Sequence, residues 1–231
     1  MDLRVLKSKI SENLRENGVT ATTRIALRHL WRALSGPSVD DFDRVHGTDT
    51  SGELALWNTN IPSSNARFGT RYQATRGRDL ERAVNGLGID TAQFTFVDLG
   101  CGKGRALLVG AQLGFRQVVG VEFVRELVDT AEANLEKMGI GNAVVIHGDA
   151  AEYVLPPGNL LVYLYNPFGA PIVAEVIRGL ENRIEGGSAD EIYFVYTVPK
   201  CGSLLDQSPV LRRVDLAQPL EHTAIWKTVA R

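Results

Sequence analysis

Short apolar runs alternate with amphipathic stretches between positions 94 and 198, and no other feature of this 231-residue chain constrains its fold as much. In the runs Val118, Val119, Val121; Val144, Val145, Ile146; and Leu160, Leu161, Val162 the apolar residues are consecutive or nearly so, a pattern that suits strands covered on both faces. The spacing predicts strands over 94–98, 117–121, 143–147, 160–165 and 191–198, with helices over 79–87, 103–112, 126–138 and 171–184. Alternation at this spacing implies right-handed βαβ units and a doubly wound sheet. The segments 210–216 and 223–229 have no helix between them, and an antiparallel hairpin at the sheet edge is expected there. The reading is an α/β fold with a doubly wound, mostly parallel seven-stranded sheet.

The first 66 residues differ in character. Leu27, Leu30, Trp31 and Leu34 fall at helical spacing ahead of Ser35-Gly36-Pro37, a stop signal. Up to Gly36 the bases Arg4, Lys7, Lys9, Arg15, Arg24, Arg28 and Arg32 outnumber the acids Asp2, Glu12 and Glu16. Such a helix packs on its own domain with a solvated face, or lies on a membrane or an acidic partner. Residues 37–66, rich in Ser, Asp, Thr, Asn and Gly, read as loop. The expected division is an N-terminal helical arm and loop over 1–66, a candidate lid over the rest, and an α/β domain over 67–231.

Composition narrows the function classes. Twenty-five Lys and Arg against 27 Asp and Glu give a net charge of −2, so no global basic field grips nucleic acid. Cys101 and Cys201 make no disulfide framework, and the chain has neither Cys-x₂-Cys nor Cys/His zinc spacing, so no metal is expected. No apolar stretch approaches the roughly 20 residues of a membrane span, and the N-terminus has no signal-peptide core. A soluble, cytoplasmic protein is expected.

The most informative segment is Phe96-Val97-Asp98-Leu99-Gly100-Cys101-Gly102-Lys103-Gly104-Arg105. It joins a strand end to a helix start, where open α/β sheets bind ligands. Gly104 follows Lys103 where a phosphate-binding loop needs Ser or Thr, and Arg105 stands where a dinucleotide fingerprint wants Gly or Ala. The pattern is Asp-x-Gly-x-Gly-x-Gly. It resembles motif I of the class I S-adenosyl-L-methionine (SAM) methyltransferases, whose Rossmann-like fold agrees with the sheet expected here. The resemblance implies that Asp98 helps hold the methionyl end of SAM, with Gly100, Cys101, Gly102 and Gly104 as the loop around it. Glu122 ends the second strand, where a carboxylate accepts ribose hydroxyls, and Phe123 beside it can lie against adenine. Asp149 and Ala150 follow the third strand and match the family's adenine-edge acid. Cys101 reads as a packing residue rather than a nucleophile, since no His or acid pair adjoins it.

Tyr165-Asn166-Pro167-Phe168-Gly169 follows the fourth strand, where this family presents its acceptor. The Asn166 carbonyl groups can orient an amine by hydrogen bonds while its lone pair attacks, and Phe168 can supply an apolar wall; both are the expected catalytic residues. None of His29, His46, His147 or His222 adjoins this motif, as a hydroxyl acceptor would require of a general base. The segment is similar to the Asn-Pro-Pro-Tyr/Phe signature of amino-group methyltransferases but lacks one proline, so base methylation is not indicated. It looks closer to the Asn-Asn-Phe segment of histone-lysine methyltransferases without a SET domain. Tyr72-Gln73-Ala74-Thr75 and Ala224-Ile225-Trp226 also resemble segments of seven-strand lysine methyltransferases that act on mitochondrial membrane-protein subunits. That resemblance implies Tyr72 and Thr75 as a lid over SAM; packing and capping ahead of the next helix would use the same residues.

The expected function is therefore a SAM-dependent N-methyltransferase acting on an amine, with a protein lysine as one candidate. Alternatives are a small-metabolite N- or O-methyltransferase, a NAD(P)-binding oxidoreductase, and a non-catalytic SAM-binding domain.

Overall fold

The computed structural model describes residues 41–52, 74–75 and 77–229, all within one compact unit. The expected helix around Leu27–Leu34, residue Tyr72 and most of the 1–66 arm lie outside the described residues. In chain order the elements are α1 (Asp41–His46), α2 (Gly77–Leu87), β1 (Thr95–Leu99), α3 (Arg105–Gln112), β2 (Gln117–Glu122), α4 (Arg125–Lys137) and β3 (Ala143–His147), then β4 (Leu160–Tyr165), α5 (Ala170–Glu185), β5 (Ile192–Thr197), α6 (Gly202–Gln207), β6 (Leu211–Val214) and β7 (Thr223–Thr228).

The seven strands lie in the order β3-β2-β1-β4-β5-β7-β6. Strands β1 to β5 pair in parallel, and β7 is antiparallel to both β5 and β6. The expected hairpin forms, with β7 inserted against β5 and the short β6 at the edge. Between β1 and β4 the strand order reverses, and that switch point opens a crevice above the strands' C-terminal ends. Asp98 of β1 and Tyr163 of β4 are register partners beneath it.

Side-chain alternation sorts the core into two layers. Phe96, Val118, Leu161, Tyr163 and Val195 meet Leu80 and Ala83 of α2, Leu107 and Leu108 of α3, and Val128 and Ala131 of α4. On the opposite face Val97, Leu99, Val162, Phe194 and Tyr196 meet Ile172, Val173, Val176 and Leu180 of α5, and Leu205 of α6. Strands β1 and β5 are buried at every position, as their apolar runs require.

Three expectations change. Val144 in β3 is 42% exposed. No helix is assigned between β3 and β4, so one face of this edge strand lacks the cover that its apolar run implies. Residues 41–46 form a helix within a segment read as loop, and 202–207 form another; at six residues each, neither is long enough to establish a period. No helix among the described residues is long and apolar enough to cross a membrane.

Candidate active site

The loop after β1 is built around close approaches that side chains would block. The Gly100 and Cys101 amides donate to the Val121 carbonyl at 2.8 and 3.1 Å, folding the loop back over β2. Gly100 has φ 85°, and a Cβ there would stand 2.5 Å from Cβ of Pro167, in the motif after β4. The loop after β1 and the loop after β4 therefore touch at Gly100. Gly100→Ala is expected to combine a left-handed backbone penalty of about 1–2 kcal/mol with displacement of Pro167. Both the melting temperature and turnover should fall; an alanine variant with native values of both would show that the two loops move independently. Gly120 of β2 plays a part that sequence reading missed. A Cβ there would meet Cys101 Sγ and Leu107 Cδ1, both at 2.7 Å. Cys101 is buried against this gap, and burial pushes its thiol well above the ordinary range, as a packing role requires.

Two buried carboxylates flank the loop. Asp98 is 3% exposed and receives no hydrogen bond from any described residue. Burial, and next the charge of Glu122, hold its carboxyl well above the usual range. Glu122 is 5% exposed and well supplied with donors. Its Oε1 accepts the amides of Phe123 and Val124 at 3.0 and 2.9 Å, and Oε2 accepts Gly102 N–H at 2.9 Å. Burial raises its pKa, while those three amides and nearby His147 act in the opposite sense. A carboxylate oxygen offers about two acceptor directions. Oε1 accepts two amides and Oε2 one, so Oε2 keeps an acceptor direction beside the Gly102 N–H.

Asp149 turns its Oδ1 to the Ala151 amide at 2.9 Å, and Ala150 packs into the apolar core below. His147 Nε2 lies 3.1 Å from the Phe123 carbonyl, so the β2 and β3 ends are joined here. Phe123 and Asp149 are both partly exposed at this rim.

At the ends of β4 and β5, Asn166 and Val198 are the non-glycine residues with positive φ among the described residues, at 43° and 53°. Each directly follows the registered pair Tyr165–Thr197, so two left-handed residues stand at the ends of neighbouring strands. Asn tolerates this backbone and a β-branched Val does not, and such outliers gather at functional sites. The Val198 amide donates to the His222 carbonyl at 2.7 Å, and the Lys200 amide donates to the Val198 carbonyl at 2.8 Å. Phe168 is 7% exposed and lies in the α5 core layer, so any wall it makes is set back beneath the motif. Thr75 is also buried; its hydroxyl and that of Thr197 lie at the Tyr163 phenol, beside Asp98.

At this sheet edge stand a buried acid, Asp98, that accepts no hydrogen bond from a described residue, a second buried acid, Glu122, with one acceptor direction left, and the Asn166 amide at the next strand end. A cation carrying a polar hydroxylated group matches the first two. Asp98 should then exchange its excess proton affinity for the ligand's charge. A carboxyl whose folded pKa is raised stabilises the unliganded fold at low pH, and that contribution fades as pH rises from about 4. A cationic ligand favours the ionised form, so its affinity should rise with pH as long as Asp98 is protonated in the free protein. Calorimetry in buffers of different ionisation enthalpy should show proton release on binding in wild type and none in Asp98→Asn. Equal proton release in both would assign the linkage elsewhere.

Residues 90–157, from the approach to β1 through the loop after β3, match a family model described as a methyltransferase domain. The chain is 25% identical over 158 residues to a ribosomal protein L11 methyltransferase from Alkaliphilus metalliredigens, covering 67% of this chain and 44% of that protein. It is 33% identical over 86 residues to the protein of the same description from Clostridium perfringens, covering 37% and 25%. The chain thus spans less than half the length of these relatives. A putative methyltransferase, yhhF, from Escherichia coli superposes with a TM-score of 0.53 at 19% identity, over 78% of this chain and all of that one. A putative methylase from Haemophilus influenzae gives 0.50 at 17%, over 66% and 97%. At such identities the structural likeness speaks for the fold.

Proposed function

We propose, for a chain that carries a class I SAM-dependent methyltransferase domain, that it transfers a methyl group to the nitrogen of an amine, with a protein lysine as the leading acceptor. The observation that carries this reading is the buried Asp98, hydrogen-bonded by no described residue, beside Glu122 at the sheet's switch point, with Asn166 at the end of the neighbouring strand. Bound there, SAM supplies a methyl group on a cationic sulfur. Asp98 suits the positively charged methionyl end, Glu122 Oε2 a ribose hydroxyl, and Phe123 with Asp149 and Ala150 the adenine. Asn166 accepts the acceptor's N–H bonds and so aims its lone pair; much of the rate comes from this positioning.

The relatives named for ribosomal protein L11 give a precedent for a protein acceptor within this similarity. A cytoplasmic location and an acceptor-selecting role for most of residues 1–66 belong to the same proposal. The test is mass spectrometry of a cell lysate incubated with the protein and isotopically labelled SAM. Label on lysine of a protein supports the reading. Label confined to small molecules, or on a hydroxyl oxygen, overturns the acceptor assignment, and failure to bind SAM overturns the whole.

A further inference from the structure

The glycine loop concentrates conformational freedom where cofactor affinity is decided. Gly100, Gly102 and Gly104 all have positive φ, and fixing glycine in one conformation costs more entropy than fixing any other residue. A loose loop would subtract that ordering cost from ligand binding. On its inner side the loop is tied to Val121 and Glu122. Its outer side is tied to a segment lying up to 62 positions earlier in the chain.

Asp43, on α1 and 2% exposed, anchors that segment. It accepts hydrogen bonds from Thr48 Oγ1 at 2.7 Å, from Thr50 through its amide at 2.9 Å and Oγ1 at 2.6 Å, and from the Ser51 amide at 2.7 Å. Burial alone would raise its carboxyl, but the bonds from Thr50, Ser51 and Thr48 outweigh this and bring it down to about 2. Arg105, the first residue of α3 and 7% exposed, donates Nε to Thr50 Oγ1 at 2.6 Å. Its Nη2 lies 3.4 Å from Asp43 Oδ2, and the guanidinium stands 5.0 Å above the Phe42 ring. Between them, Lys103 Nζ donates to Asp49 Oδ1 at 2.7 Å and to the Ser51 carbonyl at 3.0 Å. Asn134 of α4 completes the tie: its Nδ2 donates to the Asp49 and Lys103 carbonyls, both at 3.0 Å, and its Oδ1 accepts the Asp49 amide at 2.9 Å.

A buried acid–base pair is a poor stabiliser compared with apolar residues of equal size; its better-attested use is to fix geometry. Among the described residues, this network reaches the glycine loop through Lys103 and Arg105 and the neighbouring helix through Asn134. We propose that this buried clamp positions the glycine loop, so that residues 43–51 are a working part of the cofactor site although they lie outside the 67–231 domain. Asp43, Thr50, Arg105 and Asn134 are its positioning residues. The proposal rests on the reading of that loop as the SAM seat, and it gives this part of the N-terminal region a cofactor-side role rather than an acceptor-side one.

The experiment is calorimetric titration of S-adenosylhomocysteine into the full chain, with melting temperatures measured alongside. Asp43→Asn and Thr50→Val are expected to weaken binding about ten-fold at temperatures where circular dichroism shows them folded. Thr50→Ser, which keeps the hydroxyl, should restore it. Ile184→Ala, which opens a cavity at the C-terminal end of α5, supplies a destabilised control and should stay within about two-fold of wild type. If Asp43→Asn does not fold, Lys103→Met cuts the partly exposed tie to Asp49 and carries the same expectation. Clamp variants that bind as wild type does, or an Ile184→Ala loss of equal size, overturn the proposal. Wild type that fails to bind S-adenosylhomocysteine overturns the cofactor reading instead, so the two failures are distinct.

Discussion

Glu122→Ala should raise the dissociation constant for S-adenosylhomocysteine by about 30- to 1,000-fold, the range that follows from losing about 2–4 kcal/mol of charged hydrogen bonding. Two losses combine in that figure. The ribose loses its acceptor, and the amides of Gly102, Phe123 and Val124 lose theirs. Buried donors left unsatisfied cost about 1–3 kcal/mol each, so the alanine variant should also melt earlier. Glu122→Gln separates the two effects. One oxygen of the amide can still serve Phe123 and Val124, while its NH₂ faces Gly102 and the ribose, where a second acceptor is needed. Most of the affinity should therefore go and most of the stability remain. A folded Gln variant that binds within about two-fold of wild type would remove Glu122 from the cofactor site, and Asp98 would have to hold the ligand without it.

What the chain spells out locally, sequence reading recovered. Buried parallel strands leave consecutive apolar residues, as at Val118–Val119 and Leu160–Val162, and the helices between most of them mark the parallel crossovers. Asp98, Glu122 and Asp149 stood out as candidates because each sits at or just past the end of a strand run, and strand ends are where this fold presents groups to a ligand. What remained hidden depends on contacts between distant positions. Asp43 and Arg105 are 62 residues apart, and nothing in Asp-Phe-Asp or Thr-Asp-Thr-Ser announces a buried anchor. Arg105 itself entered only as a departure from a dinucleotide pattern. A buried Arg is uncommon without a partner, but burial is not readable from one polar residue at a helix start. Gly120 likewise reads as one more small residue in a strand until Cys101 Sγ is placed 2.7 Å from its absent Cβ. Phe168, read as an apolar wall beside the Asn166 motif, packs with the α5 core layer at 7% exposure, a placement its sequence context does not announce.

Asn166 carries the second large effect, and its backbone changes how the effect must be measured. At φ 43° the residue occupies a region that Asn tolerates better than most side chains, so it has a conformational reason to be Asn before any chemical one. Asn166→Ala would mix the two, adding left-handed strain to the loss of the amide. Asn166→Gly removes the amide and adopts the backbone freely. The glycine variant should fold with a melting temperature near wild type and bind S-adenosylhomocysteine almost unchanged. Turnover of the acceptor identified by labelling should nevertheless fall on the order of 10²-fold, the loss typical of removing one well-placed hydrogen-bonding group from an active site. Because the amide acts mainly on the reacting amine, the loss should appear in kcat rather than in cofactor affinity. Wild type should also gain rate as pH rises and the neutral amine becomes more abundant, in the manner of a site that supplies no general base. If the glycine variant turns over at the native rate, Asn166 serves only the turn. The acceptor's amine would then have to be aimed from the neighbouring strand end, where Val198 holds the same strained backbone without Asn's tolerance for it.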